Sequence, residues 1–123
     1  MLADKELKAF VPTIMPDKAK IFYRDILGLA LLSEDEYALE FDANGVQLRV
    51  IIVPVLQPQG FTVLGWNVDD ITATIKSLNK KGVVCEIYGF MEQDELGIWT
   101  APGGSKVAWF KDPDGNVLSL TEI

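Results

Sequence analysis

The chain has 123 residues, enough for one ordinary domain whose core needs no disulfide or structural metal to hold it. Its net charge of −7, from 11 basic and 18 acidic residues, argues against nucleic acid as a partner, because phosphate contacts need clustered Lys and Arg and the longest basic run is Lys80-Lys81. No apolar run approaches the roughly 20 residues of a membrane helix. The opening MLADKELKAF lacks a basic flank followed by an apolar stretch, so no secretory leader and a cytoplasmic location are expected.

Lys8 to Ile14 is apolar and β-prone, and Pro12 inside it marks an edge strand or a bulge. Pro16-Asp17 opens a helix with Pro in the first turn and an acid near the positive end. Ala19, Phe22, Tyr23, Ile26 and Leu27 recur at helical spacing until Gly28 stops it. Leu29 to Ser33, Tyr37 to Phe41 and Val46 to Val53 read as three strands, the last two joined through the hairpin signal Asn44-Gly45. Pro54 to Gly60 reads as a linker.

The pattern then restarts. Phe61 to Val68 is a predicted strand. Asp69-Asp70 starts a helix with Ile71, Ile75 and Leu78 on its apolar face, and Gly82 ends it. Strands are predicted at Val83 to Tyr88, Lys106 to Lys111 and Val117 to Thr121. Cys85, the only cysteine, sits among Val83, Val84 and Ile87 and reads as a buried structural thiol. The order β-α-β-β-β thus occurs twice, with modules over about 1–54 and 61–123 of one domain. The turn glycines Gly45 and Gly115 lie 70 positions apart and the helix-ending Gly28 and Gly82 lie 54 apart, so the second half carries 16 extra residues, around Gly89 to Gly104. The fold class is α+β: two βαβββ modules forming a curved mixed sheet, helices outside, with a central cleft suited to a ligand.

FYRDILGL at Phe22 to Leu29, VDDI at Val68 to Ile71 and KDPDGNVLSL at Lys111 to Leu120 resemble the vicinal oxygen chelate superfamily of glyoxalases, bleomycin resistance proteins and extradiol dioxygenases. The resemblance covers nearly the whole chain. It implies four metal-ligand positions, filled in the metal-dependent members by His, Glu or Gln. Here they hold Lys8, Arg49, Val63 and Ser119. The sequence has no histidine, the commonest side-chain ligand of zinc, iron, nickel and copper. A member lacking its metal ligands, with no cofactor, is expected. A purely carboxylate site would need acids converging from Glu40, Glu86, Asp94 or Glu122, and nothing in their spacing demands it.

Without histidine there is no Ser-His or Cys-His pair, and APGGSK at Ala101 to Lys106 reads as a glycine turn rather than a phosphate loop. A general base would have to be an Asp, Glu, Lys or Tyr, with Tyr23, Tyr37 and Tyr88 among the candidates. Strand alternation, taken with the resemblance, turns Lys8, Phe10, Arg49, Asn67, Ser119 and Trp109 toward the cleft, and puts Trp66, Leu118 and Leu120 under the helices. Trp99 lies in the extra segment with Phe90 and Met91 near it. That segment reads either as a lid over the ligand or as a contact on the sheet rim or a second subunit.

The expected ligand-binding residues are therefore Phe10, Arg49, Trp99, Trp109, Ser119, Lys8 and Asn67. Arg49 is expected to offer its fork of donors to a carboxylate or carbonyl of the ligand. The leading expectation is a metal-free, small-molecule binding protein similar to the drug- and antibiotic-sequestering branch of the superfamily, acting as a homodimer. The alternative is a metal-independent lyase or isomerase using the same cleft.

Overall fold

A computed structural model describes residues 1–123 as two compact units, Met1–Gln57 and Pro58–Ile123. The first holds a four-stranded mixed sheet of β1 (Lys8–Thr13), β2 (Ala30–Glu34), β3 (Ala38–Ala43) and β4 (Val46–Ile52) in the order β1-β4-β3-β2. β1 runs parallel to β4 and lies at the sheet edge, where the missing N–H of Pro12 does no harm. Asn44 and Gly45, at φ 51° and 90°, make the tight turn between β3 and β4, as their residue types predict.

The first helix is only partly α-helical. Regular turns over α1 (Pro16–Lys20) pass into a π-helical stretch at Ile21–Ile26, closed by the Leu27 N–H donating to the Phe22 carbonyl at 2.9 Å. Ala19, Phe22 and Tyr23 face the sheet and are buried. The Tyr23 ring lies 5.9 Å from that of Phe41, and Val11, Leu39, Leu48 and Val50 complete this core.

The second unit repeats the plan with β5 (Thr62–Asn67), α2 (Ile71–Lys80), β6 (Trp99–Thr100), β7 (Lys106–Lys111) and β8 (Val117–Glu122), in the sheet order β5-β8-β7-β6. The Asp70 carboxylate caps α2 by accepting the Ala73 N–H at 3.0 Å. A carboxylate oxygen of Glu122 accepts the Ile71 N–H at 3.0 Å, tying the helix start to the end of β8. Ile71, Ile75 and Leu78 bury the helix face, over a sheet face carrying the buried Ala108, Phe110, Leu118 and Leu120 and the half-buried Trp66. Asp112 closes the last hairpin by accepting the N–H groups of Asp114 and Asn116 at 3.0 and 2.9 Å.

One predicted strand is absent. Val83 to Tyr88 forms no strand, though its Glu86 N–H donates to the Trp109 carbonyl of β7 at 2.8 Å. The side chain of Gln93 takes the place of the neighbouring strand: its amide donates to the Glu86 carbonyl at 2.9 Å and accepts the Tyr88 N–H at 2.7 Å. The fourth strand is instead the two-residue β6, inside the extra segment. No helix is long and apolar enough to cross a membrane.

Candidate functional site

In the first unit, Phe10, Arg49 and Glu40 lie in register across β1, β4 and β3, on the face turned away from the helix. The Arg49 guanidinium pairs with the Glu40 carboxylate, which also accepts the Gln47 amide at 2.7 Å. Burial opposes the ionisation of Glu40, which is only 9% exposed. The hydrogen bonds from Gln47 and Arg49, with the charges of Arg49 and Lys8, outweigh that and hold its pKa below the ordinary value. Lys8 places its ammonium 5.8 Å from the centre of the Phe10 ring, which is half exposed. Three of the expected site residues, Lys8, Phe10 and Arg49, therefore share one sheet face. Glu40, which sequence reasoning raised only as a conceivable metal ligand, neutralises Arg49.

The second unit places Gly65, Ser119 and Trp109 in the equivalent row across β5, β8 and β7. Gly65 matters for its lack of a side chain. A Cβ there would stand 2.5 Å from the Ser119 hydroxyl oxygen, so the glycine lets that hydroxyl lean over β5. Asn67 lies exposed at the end of β5, opposite Thr121. Trp109 is the hub of an aromatic run. Its ring centre is 6.3 Å from that of Trp99 and 5.8 Å from that of Tyr88, edge to face, and Tyr88 lies 5.6 Å from Phe90. Trp99, Trp109 and Tyr88 are half-buried, and Phe90 is 81% exposed. The sequence puts Phe90 near Trp99 in the extra segment but does not join Tyr88 to the tryptophans, because contact through that segment is not periodic.

That segment is knitted from within. Besides holding Glu86 and Tyr88, the Gln93 amide donates to the Gly97 carbonyl at 2.8 Å. Asp94 accepts the N–H groups of Leu96 and Ile98, each at 2.9 Å. Gly97, at φ +92°, passes so close that a Cβ would come within 2.9 Å of the Cys85 Cβ. Cys85 is buried, and burial, aided by the charges of Glu86 and Asp94, pushes its thiol up to about 11, so it stays protonated and inert. Beside Trp99 the segment leaves a depression of about 410 Å³, lined by Glu92, Gln93, Asp94, Ile98, Trp99 and Thr100.

Residues 8–120 match the family model of the glyoxalase/bleomycin resistance protein/dioxygenase superfamily. The chain belongs to that superfamily. The chain is 29% identical over 122 aligned positions to the uncharacterised protein YraH of Bacillus subtilis (strain 168), covering 86% of this chain and 88% of that one. Among solved structures, a glyoxalase family protein from Bacillus anthracis superposes with a TM-score of 0.77 at 16% identity, over 97% of this chain and 94% of its own. TnmS3, an antibiotic binding protein from Streptomyces sp. CB03234, superposes with a TM-score of 0.74 at 25% identity, over 99% and 98%.

The residues at the four positions where the resemblance implies metal ligands do not fit a metal ion. Lys8 and Arg49 are cations, and Val63 has no donor atom. Ser119 is a weak donor. Glu40, the carboxylate opposite Arg49, is already held by Arg49 and Gln47. Nowhere do three His, Cys, Asp or Glu side chains converge as a metal site would need.

Proposed function

We propose that this chain binds planar small molecules of antibiotic or drug character, without a metal and without turning them over, and that they dock on the aromatic run of the second unit. The observation that carries the reading is the line of ring contacts from Phe90 through Tyr88 and Trp109 to Trp99. A flat ligand stacked on such rings gains about 0.5–1.5 kcal/mol per ring beyond the area it buries. Ser119, Asn67 and the Tyr88 hydroxyl supply hydrogen-bonding groups on or beside the same face. Tyr88 has its pKa raised, chiefly by burial and then by the charge of Glu86, which favours a neutral phenol that binds over a base that abstracts protons. The antibiotic binding protein TnmS3, alike over nearly the whole chain, supports the same reading.

The reading takes the chain to be a cytoplasmic homodimer. Each sheet has two edge strands, β1 and β2 in one and β5 and β6 in the other, that a second copy would shield. Light scattering should return twice the 13.6 kDa chain mass.

The deciding experiment is tryptophan-fluorescence titration with a panel of planar aromatic compounds, in the presence of a chelator. A ligand should quench the parent protein and bind Trp99→Leu and Trp109→Leu about five- to tenfold more weakly, the loss of one stacked ring. Affinity unchanged in both variants, with the fold intact by circular dichroism, would overturn the placement. Steady conversion of a bound compound would overturn binding without turnover.

A further inference from the structure

The aromatic run is assembled from three pieces of chain, and one side chain joins two of them. Trp109 belongs to β7. Tyr88 and Phe90 come from the arm that enters the extra segment, and Trp99 from the arm that leaves it. The entering arm meets β7 through the Glu86 N–H, which donates to the Trp109 carbonyl at 2.8 Å. The leaving arm pairs with β7 over the two residues of β6, Trp99 opposite Val107 and Thr100 opposite Lys106. Gln93, half-buried, spans the two arms. Its side-chain oxygen accepts the Tyr88 N–H at 2.7 Å, and its nitrogen donates to the Glu86 carbonyl at 2.9 Å and to the Gly97 carbonyl at 2.8 Å. Two of these bonds hold the arm that carries Tyr88. The third holds the other arm two residues before Trp99. The arms also touch directly, because Gly97 has no side chain to part it from Cys85: a Cβ there would stand 2.9 Å from the Cys85 Cβ.

Rings carried on backbone that is already fixed need no ordering when a ligand arrives, and the saving appears as affinity. Resting on the aromatic reading above, we infer that Gln93 is the positioning residue of the ligand surface: it clips the two arms together and so sets the spacing of Tyr88 and Trp99 against Trp109. The consequence is a dependence on ligand size. A ligand long enough to touch rings of both arms depends on their spacing, and one that covers a single ring does not. With the clip broken, a fraction of the molecules holds the closed spacing, and the apparent Kd of the long ligand rises by the inverse of that fraction.

The test uses Gln93→Met, which keeps the length and bulk of the side chain and removes its hydrogen bonds. Two neutral planar probes are titrated by backbone amide NMR: 10-methylacridone, a linear tricycle, and 1-methyl-2-pyridone, a single ring. Ring spacing is read separately, without ligand, from the circular-dichroism signal of the coupled indoles of Trp99 and Trp109, 6.3 Å apart at 36°. Trp99→Leu identifies that signal by abolishing it. Gln93→Met should lose most of the coupled-indole signal, weaken 10-methylacridone about five- to twentyfold and change 1-methyl-2-pyridone less than about twofold. Gln93→Glu, which keeps the acceptor for Tyr88 and loses both donors, should fall between the parent and Gln93→Met. Gly97→Ala, which wedges the arms apart at Cys85, should reproduce both effects with Gln93 still in place. An unchanged indole signal, or unchanged acridone affinity, in Gln93→Met would overturn the positioning role. Equal weakening of both probes would also overturn it, since general loosening of the unit does not discriminate by size. Each of these results leaves the aromatic surface standing as the ligand site. Failure of both probes to bind the parent protein would overturn the aromatic reading and this inference with it.

Discussion

Across β1, β4 and β3 of the first unit lie Phe10, Arg49 and Glu40; the same places on β5, β8 and β7 of the second hold Gly65, Ser119 and Trp109. One row is an aromatic ring and an ion pair. The other is a gap, a hydroxyl and an indole. Beneath them the helix-side rows agree closely: Phe41 opposite Leu48 in one unit matches Phe110 opposite Leu118 in the other, and all four are buried. The contrast separates two demands on a repeated βαβββ plan. The face under the helix must be apolar and filled, so both halves solve it alike. The other face is free to carry different chemistry: a single exposed ring beside an ion pair in the first unit, a run of ring contacts in the second.

The largest test of this contrast is on the shared side. Phe41→Ala and Phe110→Ala should each destabilise the protein by about 3–5 kcal/mol in denaturant unfolding. A site that loses little would show that its helix-side row is not core. On the divergent side, Glu40→Ala leaves the Arg49 guanidinium without its partner. The cost should be about 2 kcal/mol, below the 3–5 of a fully buried pair because Arg49 retains some solvent contact. A Glu40→Leu/Arg49→Met double variant should recover much of it, and neither change should weaken a ligand on the aromatic run.

Gln93→Ala should have a smaller and local effect, roughly 1–2 kcal/mol, since it strips hydrogen bonds from three backbone groups of the extra segment. Hydrogen exchange should speed up over residues 86–98 and stay unchanged in β3 and β4. The smallest expected effect is the pH dependence of Glu40. Its pKa is lowered in the folded state, so the unfolded chain binds protons first. The stability it contributes is complete above the ordinary Glu value near ~4.3 and is lost as pH falls from there through the lowered folded value. Glu40→Gln should flatten that part of the acid limb of a stability-against-pH curve.

Most of the fold was legible because alternation and turn residues are local signals. Lys106 to Lys111 is a strand over the predicted residues, and Asn44-Gly45 turns where its residue types require. Val83 to Tyr88 misled because its apolar, β-branched residues satisfy strand propensity, while Gln93, several residues on and unremarkable by type, captures the backbone groups that a strand would offer β7. The pairing of Arg49 with Glu40 was within reach: each stands four residues from the Asn44-Gly45 turn, which puts them opposite one another. The contact of Tyr88 with Trp109, and of Phe90 with Tyr88, was not, because it follows from the path of the extra segment, which no periodicity reports.

The central claim is that the ligand surface belongs to the aromatic row of the second unit and not to the ion-paired row of the first. Backbone amide NMR during titration with a bound planar aromatic compound tests it most directly. The account predicts the largest shifts at Tyr88, Phe90, Trp99, Trp109 and their neighbours. Shifts centred on Phe10, Glu40 and Arg49, with the aromatic row silent, would contradict it.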